Sequence, residues 1–386
     1  MIARRSLLLA TLLAAPAAWA GQSKSPDIRA IERRRLLPQA AAWLAVLPRT
    51  IAATPAPRSP AGRQDYYSEG DYWWPDPANP GGPYIRRDGR SNPEKFDGHR
   101  DALITFGRAV PALAALWDLT GEARFAEMAM RHLHAWFVDP ITRMNPNLDH
   151  AQAIIGVNSG RAIGVIDTLQ IVEVARAAAL FATRNAPGYA AIGAGVEDWF
   201  GDYLEWLTTS PFGTTERDER NNHGTCWLLQ AASFAALIGR EDILADARRR
   251  LKTIIVPTQI EPDGRQPLEL ARTKAYAYSL FNLDVLAASA WLLGGRGLID
   301  WKTPDGRSIG GAIAWMAPYI ADKTKWPLPP DIEYWDGFPV RQPSLLFGGI
   351  ALKRTDWLGL WQTLNPDPVI GEVLRNFPAR QPLLWL

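Results

Sequence analysis

The chain has 386 residues, enough for one large domain or two medium ones, and its 47% hydrophobic content supports a sizeable core. With 42 Lys and Arg against 40 Asp and Glu the formal charge is only +2, and the basic residues form no long stripe, which argues against a nucleic-acid partner. A single cysteine, Cys226, excludes an internal disulfide, and its apolar setting reads as a small core residue in preference to a nucleophile.

Residues 1–20 open on Arg4-Arg5, run through the apolar stretch Leu7 to Leu13 and close on Ala18-Trp19-Ala20, the pattern of a secretory signal peptide. The paired arginines also match twin-arginine export, although Ala3 stands where Ser or Thr is usual, so both export routes stay open. Either route predicts a periplasmic or secreted protein. No later stretch reaches the roughly eighteen uninterrupted apolar residues of a membrane span. Cleavage leaves residues 21–386 as a single domain.

Within it, residues 59–98 are predicted as an ordered, lid-like N-terminal loop. They contain Asp71-Tyr72-Trp73-Trp74-Pro75-Asp76-Pro77 and Gly81-Gly82-Pro83-Tyr84-Ile85-Arg86-Arg87-Asp88-Gly89, too rich in Pro and Gly for long regular elements. Trp73, Trp74, Tyr84, Arg86 and Arg87 are therefore candidates to bind substrate over one end of a helical array; a packed strap without ligand contact is the bland alternative. Of the seventeen tryptophans, four or five are expected at the surface of a groove, where they can stack on sugar rings.

From about residue 99 onward Ala and Leu recur at three- and four-residue spacing, so the fold class is all-α. Ala115 to Glu122 and Ala235 to Asp242 both read as helix, Gly-containing turn, helix, with further breaks near Gly188 and at Gly294-Gly295. Successive helical hairpins must bury their faces against neighbours. Closure into an α/α toroid, a barrel of inner and outer helices, is favoured over an open solenoid.

The chemistry-bearing residues follow. His132 and His134 are two apart on a predicted helix and point to different sides, and no His-Glu-x-x-His pattern occurs, so neither a metal nor another cofactor is expected. Asn221-Asn222-His223-Gly224-Thr225 reads as a helix start with Asn222 as its N-cap, an end that favours a bound carboxylate. Downstream lie Gln266-Pro267-Leu268-Glu269-Leu270-Ala271-Arg272-Thr273 and the tyrosines Tyr276 and Tyr278. One amide, one imidazole, one guanidinium and a phenol suit proton abstraction next to a carboxylate. Phenolate formation at pH 7 costs about 4 kcal/mol from a phenol pKa of ~10, and Arg272 is the group placed to lower it.

Helical periodicity puts Arg272 on the face of Tyr276 and about a third of a turn from Tyr278, unless Arg272 belongs to the loop before the helix. Asn221, Glu269 and Tyr276 join the substrate-binding candidates, as do Asn145, Asn147 and Arg161 from the Asn-rich stretches around Met144–Gln152 and Asn158–Arg161. The acids Asp71, Asp76, Asp263 and Glu269 keep a two-carboxylate glycoside hydrolase open.

Taken together, Asp71-Tyr-Trp-Trp-Pro-Asp-Pro, Met144-Asn-Pro-Asn-Leu, Asn222-His223 and Gln266 through Thr273 make the stretch from about Tyr66 to Leu293 resemble the alginate lyase domain family, exported polysaccharide lyases that cleave β-1,4-linked polyuronates. The step from Arg272 to Tyr278, followed by Ser279, is similar to polysaccharide lyase family 38. Family 5 places the tyrosine one residue further on and usually has an aromatic-rich segment where this chain has Gly224-Thr225-Cys226.

The resemblance implies an α/α toroid, no obligatory metal, and a syn β-elimination that leaves 4,5-unsaturated uronate ends. Tyr278, placed ahead of Tyr276 by the resemblance, would remove the C5 proton, and Tyr278 or His223 would assist the leaving oxygen. Asn222, His223 and Arg272 would neutralise the uronate carboxylate. The expected substrate is an acidic polysaccharide, glucuronan or mannuronate-type alginate. A glycoside hydrolase on the same ring and a noncatalytic periplasmic polyuronate-binding protein are the alternatives.

Overall fold

The Ala- and Leu-rich stretches after residue 97 fold as helices that each bury a face against the next. In the computed structural model, which describes residues 26–386, five helices form a row of touching neighbours: Gly98–Thr120, Val172–Thr183, Asn222–Ile238, Ala275–Gly294 and Pro343–Ala351. A second set, Ala123–Leu133, Tyr189–Thr209, Glu241–Arg250, Ile309–Ala321 and Thr355–Thr363, packs back onto that row. The expected signal peptide lies outside the described residues.

Gly98–Thr120 and Ala275–Gly294 are long and apolar enough to resemble membrane spans, yet 72% and 78% of their apolar windows are buried inside the protein, as in core helices. Gly121 and Gly239 end the first and third helices of the row with φ of 72° each, so the repeated helix–turn–helix motif folds as expected. Cys226 is a buried free thiol whose ionisation burial opposes, in keeping with a core role.

The chain's ends stitch the row together. Gln381 N and Trp385 Nε1 both donate to the buried Glu173 carboxylate at 2.8 Å, and Trp291 Nε1 donates to the Trp385 carbonyl at 2.7 Å, tying the second helix of the row to the fourth. Near the other terminus Arg341 Nη1 donates to buried Glu32 at 2.9 Å.

Residues 59–97 contain only short strands. Tyr67–Glu69 pairs in parallel with His150–Ala153, and Trp73–Trp74 pairs antiparallel with Ile85–Arg86. Side chains fix this strap to the helices. His99 Nδ1 accepts the Tyr67 N–H at 3.0 Å, so its Nε2 carries the proton donated to the Thr54 carbonyl at 2.8 Å. Asp71 accepts from Arg100 at 2.8 Å and from Arg375 at 2.7 Å, which joins the strap to the first helix of the row and to the C-terminal segment at once.

Candidate active site

A cavity of about 220 Å³ opens where the strap meets the N-terminal ends of Asn222–Ile238 and Ala275–Gly294. Tyr72, Trp73, Arg161, Asn222, His223, Arg272 and Tyr278 line it together, although they come from five separate stretches of chain.

The first of those helices is capped by Asn221, one residue earlier than expected: its side chain accepts the His223 N–H at 3.0 Å. Asn222 instead donates its backbone N–H and its Nδ2 to the two oxygens of Glu269, each at 2.8 Å. A carboxylate does occupy the helix end, but it is the protein's own. Glu269 is buried and absent from the cavity wall, so it reaches a substrate only by holding Asn222. Burial raises the proton affinity of Glu269, and the Asn222 hydrogen bonds oppose that rise.

His223 is oriented by Glu216, whose Oε1 lies 2.7 Å from Nδ1. The two approach because the helix start packs on the preceding turn at Gly224, where a Cβ would lie 2.1 Å from the Glu219 carbonyl oxygen. Nε2 has no protein partner among the described residues, and the residue faces the cavity. Burial disfavours the imidazolium, but the charge and hydrogen bond of Glu216 outweigh it and hold His223 above the usual imidazole range.

Arg272 sits in the turn between the short helix Pro267–Leu270 and the helix Ala275–Gly294, not on the latter. The face argument that paired it with Tyr276 therefore lapses. Its guanidinium lies 4.0 Å from the centre of the Tyr278 ring, with Nη2 donating to the phenol oxygen at 3.0 Å. Asp331 fixes the direction of Tyr278 by capping the helix, accepting the Tyr276 and Ala277 N–H groups at 2.9 Å each. On the strap side, the Tyr72 hydroxyl is 2.9 Å from that of Tyr278.

The expected lowering of the phenol by Arg272 is outweighed. Burial lifts Tyr278 well above the ordinary phenol range, Tyr72 adds to the rise, and Arg272 and Lys274 only partly offset it. The resting residue is a neutral phenol.

Several candidates stand elsewhere. Tyr276 is wholly buried against Trp326 and Trp335 and donates its hydroxyl to the Tyr319 carbonyl at 3.0 Å. Asn145 donates to Asp65 at 2.7 Å, and Asn147 accepts the Asp149 N–H at 3.2 Å; neither borders the cavity. Trp74 donates to the Arg90 carbonyl and carries Arg87 5.0 Å over its ring, so these two and Tyr84 shape the strap from outside the cavity. Trp73 and Arg86 do border it. Trp73 is the one tryptophan among the described residues that lines this cavity, fewer than the four or five expected, because the others either fill core, as Trp136 and Trp361 do, or stand away from it partly buried.

Residues not singled out from sequence complete the wall. Lys274 pairs with Glu372 at 2.9 Å and lies 5.2 Å from the Tyr72 ring centre. Tyr334 lines the cavity with φ of 61°, a left-handed conformation uncommon for a bulky residue. Tyr72 stood inside a motif already noted, whereas Glu216, Glu372 and Arg375 carry no local signal.

The family model for alginate lyase matches residues 50–326. The chain belongs to the alginate lyase family. It is thus a polysaccharide lyase. A solved alginate lyase from Bacteroides ovatus is 31% identical, with 92% of this chain and 93% of that one covered and a TM-score of 0.78. Alginate lyase A1-III from Sphingomonas species A1 shares the fold at 17% identity, with coverage of 92% and 94% and a TM-score of 0.54. A His-to-Ala variant of A1-III complexed with tetrasaccharide matches at 16% identity, 95% and 97% coverage and a TM-score of 0.56. No curated protein matches the chain.

Proposed function

We propose that this family member is an exported lyase that cleaves a β-1,4-linked polyuronate, glucuronan or mannuronate-type alginate, by β-elimination. The helical hairpins of residues 26–386 close into one α/α toroid, the 59–98 strap serves as its lid, and the Arg272 to Tyr278 spacing supports a place in polysaccharide lyase family 38. One observation carries the reading: a half-buried phenol, Tyr278, touches a guanidinium, Arg272, on the wall of a cavity that also presents His223 and Asn222.

Elimination breaks C5–H and C4–O4, forms the C4–C5 double bond, and delivers one proton to O4. Arg272 and the free N–H of Asn222 Nδ2 are the donors available to a uronate carboxylate in either of two schemes, joined by His223 Nε2–H only where the imidazole is not the base, and neutralising that charge is what acidifies C5. In the one-residue scheme Tyr278 takes the C5 proton as phenolate and returns it to O4. A two-residue scheme is favoured by the resting neutral phenol and by the unengaged Nε2 of His223: the imidazole takes the C5 proton and Tyr278 donates to O4. A uronate bearing a 4-nitrophenolate leaving group at O4 separates the two, because it needs no acid. Rescue of Tyr278→Phe on that substrate supports proton donation as the essential role of the tyrosine; no rescue supports the one-residue scheme.

The four acids that kept a glycoside hydrolase open each already have a partner within the protein, Asp71 on the cavity wall included. Asp71 is held ionised, with the Arg100 and Arg375 charges overcoming the effect of burial, Glu269 binds Asn222, Asp263 pairs with Arg265 at the surface, and Asp76 caps its own turn. The direct test is absorbance of the conjugated unsaturated uronate on glucuronan, polymannuronate and polyguluronate. Signal on either of the first two supports the reading. Chain shortening without absorbance points to hydrolysis, and retention without shortening to a binding protein.

A further inference from the structure

Arg161 differs from the other cations around the cavity. Arg86, Arg100, Arg272, Lys274 and Arg375 each form an ion pair with a carboxylate. Arg161 forms none among the described residues. Its Nε donates to the Gln152 carbonyl at 2.9 Å and its Nη2 to Gln152 Oε1 at 3.0 Å, which leaves Nη1 without a protein partner. Burial pushes its pKa down to about 10, only partly offset by the more distant Asp71 and Asp167 carboxylates, so the guanidinium remains charged at neutral pH.

The surroundings are built to hold it there. Gln152 adopts φ of 51°, a conformation that costs a non-glycine residue free energy, and is pinned by Ser68 Oγ at its N–H and by Asp167 at its Nε2. Gly70 supplies clearance: a Cβ there would lie 2.8 Å from Arg161 Nη2 and 2.6 Å from Trp73 Cδ1. The Trp73 ring lies 5.8 Å from the guanidinium carbon, giving a flat apolar surface beside a charged fork. Tyr278 is separately engaged by Arg272 and Tyr72.

Resting on the polyuronate reading, we infer that Arg161 and Trp73 form a second carboxylate subsite, which binds the acid group of a sugar other than the one being cleaved while Trp73 takes that sugar's ring face. The substrate class narrows accordingly. Runs of uronate are accepted, and polymers that alternate a uronate with a neutral sugar are poor substrates. The partner Arg161 lacks within the protein is supplied by the polymer.

The test uses the full-length mature protein and whichever homopolyuronate the wild type cleaves, intact and with graded fractions of its carboxyl groups reduced to primary alcohols. A requirement for two carboxylates makes the initial rate fall as the square of the remaining acid fraction, so half-reduced polymer is cleaved at about one quarter of the intact rate. Arg161→Gln should lose about tenfold to a hundredfold in kcat/KM, mainly through KM, and fall only in proportion to the acid fraction. Arg161→Lys, which keeps a charge, should lie between the two, and matched thermal melting checks that the variants fold. A proportional fall in the wild type, or an Arg161→Gln variant with unchanged kinetics, overturns the subsite. Absence of unsaturated ends from every polymer would instead sink the elimination reading. Calorimetry with a uronate tetrasaccharide then decides the subsite alone: affinity lost in Arg161→Gln upholds it, and equal affinity overturns it.

Discussion

Tyr72 and Tyr278 share one hydroxyl-to-hydroxyl hydrogen bond of 2.9 Å across 206 residues of chain, which places the strap in direct contact with the phenol proposed to react. Tyr72 is itself clamped, because its neighbour Asp71 pairs with both Arg100 and Arg375. Position of the strap and protonation of Tyr278 are thereby linked.

Replacing Tyr72 by Phe removes that bond and keeps the ring. Turnover is expected to fall about tenfold, from loss of one hydrogen bond to a reacting group, while urea unfolding changes by no more than about 1 kcal/mol. Steady-state kinetics beside equilibrium unfolding check this, and an unaltered kcat would show the contact to be incidental.

Glu216→Gln tests the imidazole. Burial alone lowers the proton affinity of His223, and Glu216 reverses that, so the neutral amide should let the His223 pKa fall. The limb of the kcat profile that reports the imidazole is predicted to move to lower pH, with the melting temperature nearly retained. A profile that drops in height without moving along the pH axis would mean that Glu216 merely packs.

Asp284 offers a prediction about stability. It is buried between Ala275–Gly294 and Pro343–Ala351 and accepts the Ser344 N–H at 3.0 Å; burial lifts its pKa to about 7 against the opposing pull of that bond. A carboxyl with a raised folded-state pKa contributes stability below its unfolded value, near 4, and loses it as pH climbs through about 7. Asp284→Asn cannot ionise and keeps an acceptor for Ser344. Its stability relative to wild type should therefore rise between pH 4 and 7 and level off above, by a few kcal/mol at most. Urea melts across that range measure it, and a pH-independent difference would contradict the assignment.

Local patterns made much of this molecule legible. Ala and Leu periodicity marked the helices, the Gly turns at 121 and 239 fell where the repeated motif put them, and Asn222, His223, Arg272 and Tyr278 do share one wall. What sequence could not supply was tertiary pairing. Nothing beside Glu269 announces that its carboxylate will saturate Asn222, and nothing beside Glu216 announces His223, since each contact depends on how two helix ends meet. Periodicity also misled over Tyr276. A helical-face argument presumes that both residues lie on the helix, and Arg272 lies before it, so Tyr276 turns into the aromatic core of Trp326 and Trp335. The burial that raises Tyr278 is likewise a property of the assembled cavity and not of any motif.

The central claim is that Tyr278 performs the elimination and Tyr276 does not. Release of unsaturated uronate, followed by absorbance on the preferred polyuronate, should fall by about a thousandfold or more in Tyr278→Phe. Tyr276→Phe should keep near-wild-type turnover and lose about 1 kcal/mol of stability with its bond to the Tyr319 carbonyl. Retained absorbance in Tyr278→Phe, or loss confined to Tyr276→Phe, would contradict the account.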